Sequence, residues 1–218
     1  MKIGVLGTGV VGTTIGTKLV QLGHEVRMGS RTKNNGKAVA WVKATGPKSS
    51  HGTFADAAQF GETLFNCTNG IASLDALKLA GAANLKGKVL LDIANPLDFS
   101  KGMPPTLSVC NTDSLAEQIQ RALPDVKVVK TLNTMSCNVM VNPSLLPGEH
   151  DVFVSGNDRA AKAKVIEILK GWFGWKSVID LGDITAARGT EQRLALWVRL
   201  MGTLGTANFN FKDHQVAP

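Results

Sequence analysis

The first thirty residues constrain this chain more than any other stretch. Ile3-Gly4-Val5-Leu6 runs without a polar side chain into Gly7-Thr8-Gly9-Val10-Val11-Gly12. An apolar run of that kind reads as a strand buried on both faces of a parallel sheet. G-x-G-x-x-G between such a strand and a helix, with a second strand beyond, reads as a dinucleotide-binding turn. Gly7 allows the tight turn, Gly9 lets a pyrophosphate approach the backbone, and Gly12 lets the helix lie close to the strand. The anion then sits at a helix N-terminus, where free N–H groups point at it.

The end of the second strand selects the dinucleotide. An NAD site carries Asp or Glu about 20 residues past the glycines, to bind the ribose 2′-hydroxyl. Here Met28-Gly29-Ser30-Arg31 supplies a hydroxyl and a guanidinium instead, followed by Thr32 and Lys33, and Glu25 comes too early to be the ribose acid. Ser30 can hydrogen-bond a 2′-phosphate, and Arg31 can clamp its oxygens while stacking on adenine. Ser30, Arg31 and Lys33 are therefore candidate contacts for NADP(H). A solvated loop arginine is the competing reading.

The rest of the first half alternates strands and helices. Helices are expected over Val10 to Leu22, capped by a left-handed Gly23, over Asn34 to Thr45, and briefly over Thr53 to Phe60 and Ser73 to Leu79. Strands are expected at Glu25 to Gly29, near Ser50 to Gly52, at Thr63 to Cys67 and at Lys88 to Ile93. That order predicts an α/β fold: a Rossmann-type, doubly wound parallel sheet. Phe99 to Asn111, with Pro104-Pro105, reads as a long loop, and long loops are more often functional than incidental. Ser114-Leu115-Ala116-Glu117 is a capping box opening a helix to about Leu123. Strands follow at 126–132, 151–155 and 176–181, with a helix over 159–172 between the last two. A C-terminal helix begins near Ala186, so the chain divides into an NADP-binding unit, 1–180, and a small helical extension, 181–218, that closes the cleft.

The sequence excludes some classes. No apolar run approaches the roughly 18 residues of a membrane span, and no signal-peptide pattern opens the chain. Cys67, Cys110 and Cys137 are too few and scattered for a disulfide framework or a metal knuckle, which points to a reducing cytoplasm. The net charge of +7 is dispersed, without a basic run or a recognition motif for nucleic acid. It reads either as a solvated surface or as a field that attracts polyanionic small molecules.

Ligands of a doubly wound sheet lie beyond the carboxyl ends of its strands. Three stretches land there: Cys67-Thr68-Asn69-Gly70, Ile93-Ala94-Asn95-Pro96 and Leu132-Asn133-Thr134-Met135. Asn69, Asn95 and Asn133 are either turn residues or ligand contacts, since Asn favours strand ends for backbone reasons. No general acid stands out. His24, His51, His150 and His214 lack an informative carboxylate partner and read as surface histidines, and Cys137 reads as a buried inert thiol. Hydride transfer to a carbonyl needs a proton donor, whereas transfer to a flavin-like ring can rely chiefly on holding two rings face to face.

The motifs at 7–12, 29–31, 91–96 and 129–134, with Asp180-Leu181-Gly182, Ala187-Arg188 and Leu196-Trp197, resemble the F420-dependent NADP reductase family over almost the whole chain. They are also similar to the cytosolic reductase domain of the STEAP metalloreductases. The resemblance implies that Thr8, Gly9, Val10 and Val11 hold the pyrophosphate, that Ser30 and Arg31 hold the 2′-phosphate, and that Thr68, Ala94, Asn95 and Met135 line the nicotinamide half. It implies hydride exchange between NADP(H) and a small-molecule acceptor, F420 or a flavin, without an obligatory side-chain acid, usually in a homodimer. Two departures leave the acceptor open. Asn133 stands where the deazaflavin reductases often have His, and Asn69-Gly70 replaces their bulky turn. A ferric or flavin reductase of metalloreductase type and a non-catalytic NADP sensor are the alternatives.

Overall fold

The computed structural model describes residues 1–213, so His214 lies outside the described residues. Its first half alternates as the sequence predicts: β1 (Lys2–Leu6), α1 (Val10–Gln21), β2 (Glu25–Ser30), α2 (Gly36–Thr45), β3 (Ser49–Thr53), α3 (Phe54–Phe60), β4 (Thr63–Asn66), α4 (Ser73–Ala80), α5 (Ala82–Leu85) and β5 (Val89–Asp92). The stretch 99–111, read as one long loop, contains a strand: β7 (Thr106–Leu107) pairs antiparallel with β6 (Leu97–Asp98), which lies just before it. The second half runs α6 (Leu115–Ala122), β8 (Lys127–Thr131), α7 (Cys137–Val141), β9 (Asp151–Ser155), α8 (Arg159–Ile168), β10 (Ser177–Asp180) and α9 (Ala187–Leu204).

Eight strands form one sheet in the order β3-β2-β1-β4-β5-β8-β9-β10. The chain starts in the middle and winds outward both ways, so the strand order reverses between β1 and β4. A dinucleotide crevice belongs at that switch point. The sheet departs from the expected all-parallel form at one seam, where β8 and β9 pair antiparallel. The connection between them carries only the five-residue α7 and a single 3-10 turn. A parallel return needs a crossover that carries the chain back to the other end of the sheet. Here α7 packs beside α1 instead, and β9 must run back down.

Each face of the sheet has its own core. One gathers Ile15, Leu19, Met28, Trp41, Phe65, Val139, Val165 and Trp175 under α1, α2, α7 and α8. The other gathers Leu6, Phe54, Leu64, Leu77, Leu90, Ile119 and Ala187 under α3, α4, α6 and the start of α9.

Local signals hold with two adjustments. Gly23 follows α1 at φ 91°, as a left-handed cap requires. The Ser114 hydroxyl accepts from the Glu117 N–H at 3.1 Å, but the Glu117 carboxylate does not complete the box. It accepts from Arg188 Nε at 2.9 Å and from the Ser114 hydroxyl at 2.8 Å, tying α6 to the start of α9. Past Ile168, α8 widens into a π-helical turn over Leu169–Phe173.

Helices approach the sheet closely where glycine stands. A Cβ on Gly4 would meet the Ala57 carbonyl oxygen of α3 and lie 2.6 Å from Leu64 Cδ2. Gly4→Ala is therefore expected to lower stability by roughly 1–3 kcal/mol, the range for overpacking. Urea denaturation would measure it, and an unchanged midpoint would contradict this packing.

Candidate functional site

The glycine turn divides its labour in a way the sequence pattern alone does not separate. Gly7 has φ 121°, and a Cβ there would lie 2.5 Å from the Cys67 carbonyl oxygen. A Cβ on Gly12 would meet the Gly7 carbonyl oxygen. These two glycines are required by the chain's own packing. Around Gly9, by contrast, nothing among the described residues other than Gly9 and its immediate chain neighbours comes within 4 Å of where a Cβ would be, so the space it leaves open faces outward. Gly9 is also the N-cap of α1, with no side-chain cap and no acid in the first turn, and Val10 beside it is 70% exposed. The first-turn N–H groups thus lack intrahelical partners and stand beside open space, an arrangement that fits a pyrophosphate.

Above the turn lies a cleft of about 960 Å³. Its floor is Gly7, Thr8, Gly9, Cys67, Thr68 and Asn69. One wall carries Ser30, Arg31, Thr32, Asn35 and Lys37, and the other Ala72, Asp75, Ala76 and Leu79. Of the residues singled out from sequence, this cleft brings together Gly7, Thr8, Gly9, Ser30, Arg31, Thr68 and Asn69. Ser30 is buried, and its hydroxyl donates to the Thr32 carbonyl at 2.6 Å, so contact with a phosphate requires that hydroxyl to turn. The Lys33 side chain is not part of the lining; its carbonyl bonds His51 Nδ1 at 2.9 Å. Lys37 lines the wall instead. Asn35 accepts from the Lys37 and Ala38 N–H groups, so α2 starts there and places Lys37 in its first turn. An Asn followed by a helical pattern is a readable N-cap, but an expected start at Asn34 hides it.

The three strand-end stretches meet beside this cleft. A Cβ on Gly70 would run into the Asn95 carbonyl oxygen, so the turn after β4 rests directly on the turn after β5. Asn95 and Asn133 join β5 to β8 reciprocally: Asn95 Nδ2 donates to the Asn133 carbonyl at 2.8 Å, and Asn133 Nδ2 to Asn95 Oδ1 at 2.9 Å. Leu132 makes this possible with φ 61°, a conformation unfavourable for a branched side chain and held by its burial. Asn69 serves its turn by accepting from the Ile71 N–H at 3.1 Å, while also lining the cleft. Ala94, Asn133 and Met135 are buried, Asn95 is half-buried, and none of the four lines the cleft itself.

Beneath the rim is a group of buried charges that sequence reading passed over. Lys130 of β8, 1% exposed, donates to Asp92 Oδ2 at 3.0 Å, to Glu191 Oε1 at 2.8 Å and to the Ala94 carbonyl. Burial works against its ammonium, but Asp92 and Glu191 outweigh it and raise its pKa above the ordinary lysine value. Glu191 also accepts the Leu115 and Ala116 N–H groups at 2.8 and 3.1 Å, at the start of α6. Asp92 Oδ1 accepts from Asn66 Nδ2 at 2.8 Å, and Asn66 Oδ1 from the Thr68 hydroxyl at 2.7 Å. One polar chain thus runs from α9 through the sheet to the cleft floor.

The described histidines are engaged elsewhere, and they are half-buried rather than on the surface. His24 packs against Trp172 with ring centroids 4.3 Å apart and the rings tilted by 40°, and burial, the N-terminal ammonium and Lys48 lower its pKa. His150 bonds the Pro143 carbonyl at 2.9 Å and lies edge-on to Trp175. Burial, with a smaller contribution from Asp92, pushes the Cys67 thiol far above the usual range, so it supplies neither nucleophile nor acid at neutral pH. Cys137 is half-buried at the start of α7 and packs against the core.

Residues 2–96 match the family model described as NADP oxidoreductase, coenzyme F420-dependent. The chain is 30% identical over 210 residues to the F420-dependent NADP reductase of Methanocaldococcus jannaschii, covering 92% of each. It is 29% identical to the metalloreductase STEAP3 of Rattus norvegicus, over 87% of this chain but 36% of that protein. Among solved structures, it superimposes with a TM-score of 0.94 on a protein of Arthrobacter sp. FB24 proposed to be an F420-dependent NADP-reductase. That match is at 55% identity and covers 99% of this chain and all of the other.

Lys130→Met leaves Asp92 and Glu191 buried without their shared cation. It is expected to lower stability by roughly 3–5 kcal/mol, as when one partner of a buried pair is removed. Guanidinium denaturation would show the loss; a midpoint like that of the parent would contradict the buried-ion account.

Proposed function

The chain belongs to the F420-dependent NADP oxidoreductase family, and from that premise we propose that its rim brings NADPH against the deazaflavin F420 for direct hydride transfer. That the protein is an NADP-dependent oxidoreductase follows from the family. The acceptor and the contacts are the proposal. NADPH supplies the hydride when bound. The chain's own residues bind and orient: Gly9 and the first turn of α1, with Thr8, Val10 and Val11, take the pyrophosphate. Arg31 and Lys37 take the 2′-phosphate, with Ser30 after rotation of its hydroxyl. The Asn95–Asn133 pair, with Thr68, Ala94 and Met135, fixes the backbone along which the nicotinamide passes.

The observation that carries the F420 reading is the chemistry of this rim. Its groups are amides, a hydroxyl and apolar side chains, and the described histidines are held elsewhere. Such a rim suits transfer between two flat rings, where alignment does the work and no side chain need supply a proton. The similarity to the archaeal reductase, which runs over 92% of that protein, supports the same reading. The segment 181–213, through α9 and its ties to α6, would form the acceptor's far wall. Leu196 and Leu204, 53% and 54% exposed on α9, would pair two copies in a homodimer, and the three free cysteines accord with a reducing cytoplasm. Among the described residues no helix is long and apolar enough to cross a membrane.

Anaerobic mixing of the protein and NADPH with F420, and in parallel with FMN, FAD and ferric chelates, tests the acceptor through the absorbance of donor and acceptor together. F420 should be reduced fastest. Turnover of flavin or iron without F420 would move the protein to the metalloreductase reading, and tight NADPH binding without any turnover would make it a sensor. Arg31→Ala should weaken NADPH binding by about tenfold or more, as loss of charge-assisted bonds does, and weaken NADH binding far less. Equal losses for both dinucleotides would remove Arg31 from the phosphate site.

A further inference from the structure

Asp75 is the one carboxylate among the described residues lining the cleft, and the wall around it is otherwise apolar. Ala72, Asp75, Ala76 and Leu79 recur at the spacing of a single helix face, and the structure turns that face to the cleft. Leu79 is 55% exposed there, although it is a large apolar side chain on a short helix. Across the cleft stand Arg31 and Thr32. A flat aromatic base would fit between these walls, with Leu79 and Ala76 on one side and a guanidinium able to stack on the other.

The charge of Asp75 limits what it can do in that slot. An ionised carboxylate only accepts hydrogen bonds, and beside a polyanion it is repulsive unless the ligand offers it a donor. Its side chain has no ion-pair or hydrogen-bond partner among the described residues. The adenosine half of NADPH has two donor groups, the ribose 3′-hydroxyl and the 6-amino group of adenine. With the 2′-phosphate held at Arg31 and Lys37, the ribose lies toward the β2 wall, whereas Ala72, Ala76 and Leu79 beside the exposed Asp75 offer the base an apolar surface. Asp75 also lies in the first turn of α4, where a negative charge favours the helix. That contribution is indifferent to which base is bound.

We propose that Asp75 is a specificity-determining residue, whose carboxylate accepts a hydrogen bond from the 6-amino group of adenine slotted between the Arg31 and Leu79 walls. With the carboxylate on the N7 side of the amino group, away from N1, the cleft selects a 6-aminopurine over a 6-oxopurine, whose exocyclic oxygen would face the carboxylate as a second acceptor while its N1 proton points away. The inference rests on the reading of the cleft as the NADPH site.

The test measures dissociation constants for NADPH and for its hypoxanthine analogue, which has a carbonyl oxygen in place of the amino group and a proton on N1, in the parent, Asp75→Ala and Asp75→Asn. The parent should prefer NADPH by about tenfold or more, in line with one lost bond to a charged group. Asp75→Ala should bring the two ligands close together. Asp75→Asn should shift preference toward the hypoxanthine form, because its amide can donate to the 6-oxygen. A preference unchanged across all three proteins would overturn the assignment while leaving the NADPH site intact. Failure of the parent to bind either dinucleotide would overturn the reading of the cleft and this inference with it.

Discussion

The Lys130 ammonium, shared between Asp92, Glu191 and the Ala94 carbonyl, is the interaction on which the rest of the site depends. It sits where β5 and β8 end, so it holds the backbone from which the Asn95–Asn133 pair is built. Through Glu191 it fixes α9 to the first turn of α6, and through Asp92 and Asn66 it reaches Thr68 on the cleft floor. Such a group carries a large desolvation cost, which a hydrophobic substitute would avoid. Its position argues for specificity of geometry: three strand ends and two helices are tied together around one cation whose three donors all have partners.

The glycine turn acts in a complementary way. Gly7 and Gly12 bring β1, α1 and the turn after β4 together, and Gly70 brings that turn onto the one after β5. Close backbone approach therefore positions the cleft, and the buried charges hold the rim beside it. The free space at Gly9 is where the protein leaves room for something other than itself.

Much of this was legible in the sequence, because short-range patterns carry it. The apolar run at Ile3 to Leu6, the spacing of Gly7, Gly9 and Gly12, and the Gly23 cap each act within one or two elements. The reversal of β9 was not legible, since an apolar strand looks the same in either direction and the short α7 carries the deciding information. Neither was the partnership of Lys130 with Glu191, 61 residues apart in sequence, because ion pairing across a sheet leaves no local period. Lys37 escaped for a smaller reason: shifting the start of α2 by one or two residues decides whether that side chain faces the cleft or solvent. The asparagines at the rim could be placed at strand ends, but the Asn95–Asn133 pairing appears only once β5 and β8 are neighbours.

The most direct measurement of the central claim is a crystal structure of the protein with NADP+ bound. The pyrophosphate should lie over Gly9, the 2′-phosphate between Arg31 and Lys37, and the nicotinamide along the backbone of Ala94 and Asn133. A 2′-phosphate bound away from Arg31 and Lys37, or a nicotinamide directed away from the β5 and β8 ends, would contradict that claim.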